Sequence, residues 1–388
     1  MAMDPATYDE DAYRAQLLGR LKQSELVVYH AVFAPSSVVA EPTLVAATNT
    51  GVIHVFELGD VLKPEYWEQV DRQEAPGTPS PTLSFQAHPT QIYTLAFTGE
   101  GEDVRLVSGG DQDFRVWKWS DITAALRTPG PLNRLQPVYS AHLPRQSMGY
   151  RGALLPYSEI NDIASAQASS HVFFAGGDSL AYEWDLSAEQ CVRQFKGHSA
   201  YLHSLQYVNH SQELVTGSED GTIGLWDART AARIDVLTPR AQATTTDSQT
   251  KTTASTRWVR SVTTDASETW LACGGGSSMG GYLGMWHLPS RVPVHYTETK
   301  TKSDVQDLTF HQTDLLTVGN DATLNKWNRS SGVLLSSART SVPSSQFCVV
   351  DRTTDLIAVG GYAPFIDICM MPGVVSFSLA VNNAVSSE

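Results

Sequence analysis

The chain has 388 residues, 41% of them hydrophobic and 18% charged, with 27 basic against 41 acidic side chains and a net charge of −14. That composition suits a globular protein with a real core, and an acidic surface is repelled by phosphate backbones, so a protein partner is expected and no direct nucleic-acid partner. No run reaches the roughly 18 apolar residues of a membrane span, and the opening MAMDPATYDEDAYRAQ has neither the basic start nor the apolar run of a secretory signal.

In chain order, 1–24 is an acidic segment in which Tyr8 to Ser24 reads as a short helix, with Tyr13, Leu17, Leu18 and Leu21 on one face. It is expected either to cap the rest of the fold or to bind a partner. A repeated unit then begins, made of an apolar strand, a small-residue turn and a second strand ending in an aromatic slot. LVAATNTGVIHVF puts Phe56 in that slot. An insertion follows at about 59–82, where Tyr66 and Trp67 of PEYWEQV either pin the loop or form an exposed anchor. LVSGGDQDFRVWKW carries Trp117 and precedes a second insertion at about 127–158. VFFAGGDSLAYEWDL carries Trp184, and LVTGSEDGTIGLWDART carries Trp226. A Thr-rich third insertion at about 238–256 leads to LACGGGSSMGGYLGMWHL with Trp286 and LLTVGNDATLNKWN with Trp327. IAVGGYAPFIDI puts Ile368 in the last slot, GVVSFSLAV supplies a closing strand, and 382–388 is a tail.

The slots at 56, 117, 184, 226, 286, 327 and 368 are separated by 61, 67, 42, 60, 41 and 41 residues. Three gaps have the period of propeller blades, and the other three exceed it by the lengths of insertions, placed at unit junctions. Further strands such as IYTLAF, YLHSLQY, WVRSV and VQDLTF precede the turns and alternate apolar with polar residues. Four strands per unit and seven units make a closed, all-β, seven-bladed propeller over 25–381, whose circular closure protects its sheet edges. The C-terminal strand is expected to complete the last blade without strand exchange.

These residues resemble the WD-repeat family, whose blades carry a hydrogen-bonded set of His, Ser or Thr, Asp and Trp. His198, Thr216, Asp220 and Trp226 fill that set, and His88, Ser108, Asp111 and Trp117 nearly do, with a turn one residue shorter. A buried indole N–H, hydroxyl and carboxylate must find partners, so these groups are assigned to folding. No catalytic, cofactor-binding or metal-ligating residues are expected; GGGSSMGG lacks the Lys-Ser/Thr and βαβ context of a phosphate loop. The four cysteines are scattered, without metal-ligand spacing, as suits free thiols in a reducing compartment.

Alignment on Tyr201 places Val27, Gln91, Glu159, Trp258 and Asp304 just before the innermost strands of other blades, on the channel mouth. Glu159 and Asp304 make part of that rim acidic, and Tyr201 and Trp258 offer aromatic anchors of the kind enriched in binding hot spots. A basic or amphipathic peptide suits it. Trp226, Asp227 and Arg229 also match the W-D-x-R box of WD-repeat substrate receptors, which dock on the adaptor of cullin-RING ubiquitin ligases; only Arg229 adds information beyond the fold signature.

A closer resemblance is carried by SEINDIASAQASSHVFFAGGDSLAYEWDL, by RWVRSVTTDASETWLACGGG with its LGMWHL, and by the final FSL. They are similar to the THO complex subunit 6 family. The resemblance implies a non-catalytic nuclear scaffold that docks on coiled-coil THO subunits five and seven and supports messenger-RNA packaging and export. The cullin-ligase receptor is the alternative.

Overall fold

The computed structural model describes residues 25–71, 77–127, 135–145, 157–166, 169–239, 257–277, 280–299 and 303–381. The helix expected within Tyr8–Ser24, the tail and most of the Thr-rich insertion lie outside these residues.

Seven four-stranded antiparallel sheets form, each from strands consecutive in the chain. Blade one runs Val28–Phe33, Thr43–Thr48, Val52–Glu57 and Leu83–Gln86, from inside to outside. Blade four runs Leu202–Val208, Glu213–Ser218, Ile223–Asp227 and Arg233–Leu237. Blade seven consists of Ser345–Val350, Ile357–Gly361, Phe365–Cys369 and Phe377–Ala380, so the C-terminal strand completes it without borrowing from blade one. Its innermost strand packs directly on that of blade one, which closes the ring.

The apolar core is divided into seven layers, one in each seam between neighbouring blades. Alternation along the second strand of each blade explains this. In blade four Leu214 faces the seam with blade three while Val215 faces the seam with blade five. A blade thus has two apolar faces and is stable only between neighbours.

The slot residues sit opposite the second strand: Leu44 faces Phe56, Leu106 faces Trp117, Val172 faces Trp184, Leu214 faces Trp226, Leu271 faces Trp286 and Leu315 faces Trp327. Blade seven corrects the expectation of Ile368. There Ile357, the counterpart of Leu214, faces Cys369, and Ile368 points instead into the seam with blade one. Side chains alternate with period two, so counting one residue short places the slot on the wrong face.

The first two insertions also differ from expectation. The first falls inside blade one, between its third and fourth strands, and the second straddles the outer strand of blade two, so neither lies wholly at a unit junction. The first contains a helix, α1, Pro64–Asp71, and a second helix, α2, Trp119–Arg127, runs up to the start of the second insertion. Pro64 opens α1, where its fixed φ and missing N–H cost nothing. Trp67 donates to the Val61 carbonyl at 2.9 Å and packs at a tilt against Phe377 at 5.3 Å, so this aromatic pair pins α1 across the joint of blades one and seven. Helix α2 follows the third strand of blade two without a loop and buries Trp119 and Ile122. Blade two's outer strand, Tyr139–His142, lies within the segment read as the second insertion.

Candidate protein-interaction site at the channel mouth

All seven innermost strands carry an irregularity at the same place, where one extra residue interrupts the register with the second strand. The extra residues are Tyr29, Tyr93, Asn161, His203, Arg260, Gln306 and Gln346, each two positions after a mouth residue. A bulge re-aims its side chain, and here all seven are polar and line a central cavity of about 450 Å³. Arg260 is held by neutral acceptors, His203 Nδ1 at 2.8 Å and Gln306 Oε1 at 3.2 Å, while His203 Nε2 meets Glu219 at 3.2 Å.

The residue after each bulge ties a blade to the next. Leu95 N–H donates to His30 Nδ1 at 3.1 Å, Leu205 N–H to Asp162 at 2.8 Å, Val262 N–H to Ser204 Oγ at 3.1 Å and Cys348 N–H to Asp307 at 2.9 Å. Thr94 reaches Asp162 at 3.5 Å and Ser261 reaches Asp307 at 2.8 Å, which covers the two remaining polar seams. At the closing seam Phe347 occupies this place and packs edge-on to His30. Burial pushes the Asp162 carboxyl up to about 7 against the pull of its backbone donors, and raises Asp307 likewise. Burial also lowers His30 to about 4, so its ring is neutral and free to accept.

Above this ring the structure places the sequence-derived rim. Gln91 donates to Tyr93 at 3.1 Å, and Tyr201 hydrogen-bonds Glu159 across the seam of blades three and four. Trp258 of blade five and Asp304 of blade six stand side by side over Gly276, where an added methyl would collide with both. Gly177 stands in the same way beneath Glu159 and Tyr201. Burial raises the Asp304 carboxyl, and among the described residues its side-chain hydrogen bonding is a long 3.5 Å approach from Asn320. The rim therefore joins residues from four blades, Gln91 from blade two, Glu159 from three, Tyr201 from four and Trp258 from five, to Asp304 from blade six.

In blade four, Trp226 Nε1 donates to Thr216 Oγ1 at 2.8 Å, Thr216 meets His198 Nε2 at 2.8 Å, and His198 Nδ1 meets Asp220 at 2.8 Å. Burial opposes the Asp220 charge, but bonds from His198 and Thr222 outweigh it and hold the carboxyl well below the usual range.

Blade two differs from the reading of the sequence. Trp117 donates to Ser108 at 3.1 Å and Ser108 meets His88 at 2.7 Å, but the carboxylate on His88 Nδ1, at 2.9 Å, belongs to Asp113. Asp111 turns to the mouth and accepts from the Tyr93 hydroxyl at 2.6 Å. The two-residue turn at Asp111 and Gln112 is too short to bring Asp111 back to His88. Asp113, on the strand four residues before Trp117, takes the place that Thr222 holds in blade four. Arg115 supports it at 2.9 Å, and these bonds bring its carboxyl down to about 2 despite burial.

Asp227 and Arg229 close on each other. Arg229 grips both carboxylate oxygens, at 3.1 and 3.2 Å, and its backbone N–H donates to Asp227 at 2.9 Å. Arg229 is thus an exposed residue whose own turn already uses its charge, and nothing in this geometry favours an adaptor contact. The bulge and seam residues escaped the sequence reading. Their signal was positional: a polar residue two, and usually three, places after every mouth residue.

Among the described residues no group of His, Cys, Asp and Glu is arranged to hold a metal ion. All four cysteines are unpaired, and Cys273, Cys348 and Cys369 are buried.

Comparison with known proteins follows the same lines. The family model for the N-terminal domain of nucleolar protein 10-like proteins, a β-propeller, matches residues 158–374, and that for the WD domain, G-beta repeat, matches residues 79–118. THO complex subunit 6 of Arabidopsis thaliana is 32% identical over 372 residues, covering 94% of this chain and 95% of the relative. THO complex subunit 6 of Homo sapiens is 27% identical over 347 residues, covering 87% of this chain and 89% of the relative. A guanine nucleotide-binding protein subunit beta of Arabidopsis thaliana is 28% identical over 141 residues, 36% of this chain and 32% of the relative, a partial match in a protein with another name. The chain belongs to the WD-repeat propellers matched by the nucleolar protein 10-like model over more than half its length, and among them to the THO complex subunit 6 family, to which it is similar over 94% of its length.

Proposed function

We propose that this chain is a non-catalytic docking subunit of a nuclear THO complex. In this reading it seats on the coiled-coil subunits five and seven and supports messenger-ribonucleoprotein assembly and export. The observation that carries the proposal is the similarity to THO complex subunit 6 along nearly the full length of both chains. The fold is consistent with it: blades hydrogen-bonded at six seams and packed at the seventh present side chains from several blades at one mouth. We assign partner contact to the rim formed by Gln91, Glu159, Tyr201, Trp258 and Asp304. The cullin-adaptor reading draws no support from the relatives' names or from the self-paired Arg229.

The test is affinity purification of the tagged full chain from nuclear extract. Recovery of the THO coiled-coil subunits in fixed proportion is the expected result. Their absence, with the chain folded and soluble, overturns the proposal. Recovery unchanged in Tyr201→Ala, Trp258→Ala double variants would exclude the rim as the seat of those subunits.

A further inference from the structure

We propose that the Trp258–Asp304 pair at the channel mouth is a receptor for a single arginine side chain presented by an extended basic segment of a partner protein. This rests on the reading of the chain as a docking subunit and names what that docking face reads.

Three observations converge on the pair. The first is an unmet need. Most rim and mouth carboxylates already have strong partners: Asp111 has the Tyr93 hydroxyl, Glu159 has Tyr201 and Glu219 has His203. Among the described residues Asp304 has only a 3.5 Å approach to one oxygen from Asn320, and protein atoms already displace enough water to raise its carboxyl. A partly desolvated carboxylate without a strong donor is stabilised by any cation that reaches it.

The second is the ring beside it. Trp258 is half-buried on the same shelf, and Gly276, having no side chain, lets indole and carboxylate meet over its backbone. An indole face next to a carboxylate fits a planar guanidinium, which stacks on the ring while its N–H fork points at the oxygens. An ammonium gains the charge but not the stacking.

The third is what lies beneath. Arg260, two residues beyond Trp258 and aimed into the channel, is fixed by His203 and Gln306. Its charge repels a second cation from the channel interior and leaves the mouth as the resting place. Tyr201 and Tyr362 stand on other blades around the same opening; Tyr362 is 52% exposed. The net charge of −14 draws a basic segment toward the protein, and repels the phosphates of a nucleic acid.

The experiment is fluorescence anisotropy of the intact chain with a short fluorescein-labelled peptide of arginine, glycine and serine, and with the same peptide carrying lysine. The arginine peptide should bind more tightly. Asp304→Asn should weaken it about tenfold, Trp258→Ala by a similar factor, and Trp258→Phe by less. Asp304→Asn keeps shape and removes only the charge, so it remains informative if Trp258→Ala disturbs the fold. Glu102→Gln removes an exposed charge on the connection between the first two strands of blade two, at the end away from the mouth, and should leave binding unchanged.

Equal loss in Glu102→Gln and Asp304→Asn would show attraction by net charge alone and overturn the site. So would equal affinity for the two peptides, or no binding of the arginine peptide. A chain that binds the arginine peptide through this pair but recovers no THO subunits overturns the proposed complex and leaves the site standing. A chain that recovers them but fails the peptide test overturns the site alone.

Discussion

Replacing Thr216 by valine tests the energetic account of the blades. The hydroxyl is fully buried and serves two groups: the Trp226 indole at 2.8 Å and His198 Nε2 at 2.8 Å. Valine keeps the volume, so no cavity opens. What changes is that an indole N–H and a ring nitrogen, on side chains that are themselves nearly covered, lose their partner together. An unsatisfied buried polar group costs roughly 1–3 kcal/mol, so Thr216→Val should lose about 3 kcal/mol. Blade six supplies the internal control. There Thr317 accepts from the Trp327 indole at 2.9 Å, and no histidine among the described residues bonds its hydroxyl. Thr317→Val should therefore lose about half as much, on the order of 1.5 kcal/mol. Urea unfolding followed by tryptophan fluorescence and far-ultraviolet circular dichroism measures both, provided the slopes with denaturant agree. If Thr317→Val costs as much as Thr216→Val, the cost does not come from the stranded imidazole and the argument fails.

Two further outcomes follow from the geometry. Asp113→Ala should destabilise blade two by about 2 kcal/mol by stranding His88, whereas Asp111→Ala, at the mouth, should change stability by less than about 0.5 kcal/mol; the reverse order in denaturant midpoints would restore the assignment made from the sequence. Asp162 holds its proton up to about pH 7 in the fold but near its ordinary 3.8 when unfolded, so the folded state binds the extra proton between those values. Stability from this group therefore rises as pH falls from about 7 toward 4, and Asp162→Asn should flatten that slope. Asp113 and Asp220, whose carboxyls are lowered, contribute stability above the unfolded value and lose it only as the pH falls below about 4, so their loss should appear in a separate, more acidic limb.

The sequence by itself determined the blade count, because each blade must end its third strand on a residue that fills the seam, and a Trp, or Phe56 in blade one, marks that place in six of seven. It determined which face of each strand is apolar, because alternation is local. It also located the mouth, at or just before the start of the innermost strand in six of the seven blades. It contained α2 as well: Trp119, Ile122 and Leu126 recur at helical spacing, but the strand motif ending at Trp117 drew the reading past them.

Only the tertiary structure decided which residues meet. The Asp111 and Asp113 choice depended on the reach of a two-residue turn, and the Ile368 and Cys369 choice on a register that no tryptophan marked. The seam bonds, such as Asp162 to Leu205 and Asp307 to Cys348, join positions 43 and 41 residues apart. The Trp258–Asp304 pair likewise spans two blades. Such contacts arise because seven similar sheets close into a ring, and closure brings each blade's innermost strand against the next. Local periodicity encodes the blades; ring closure sets their juxtaposition, and with it the side chains that a partner meets.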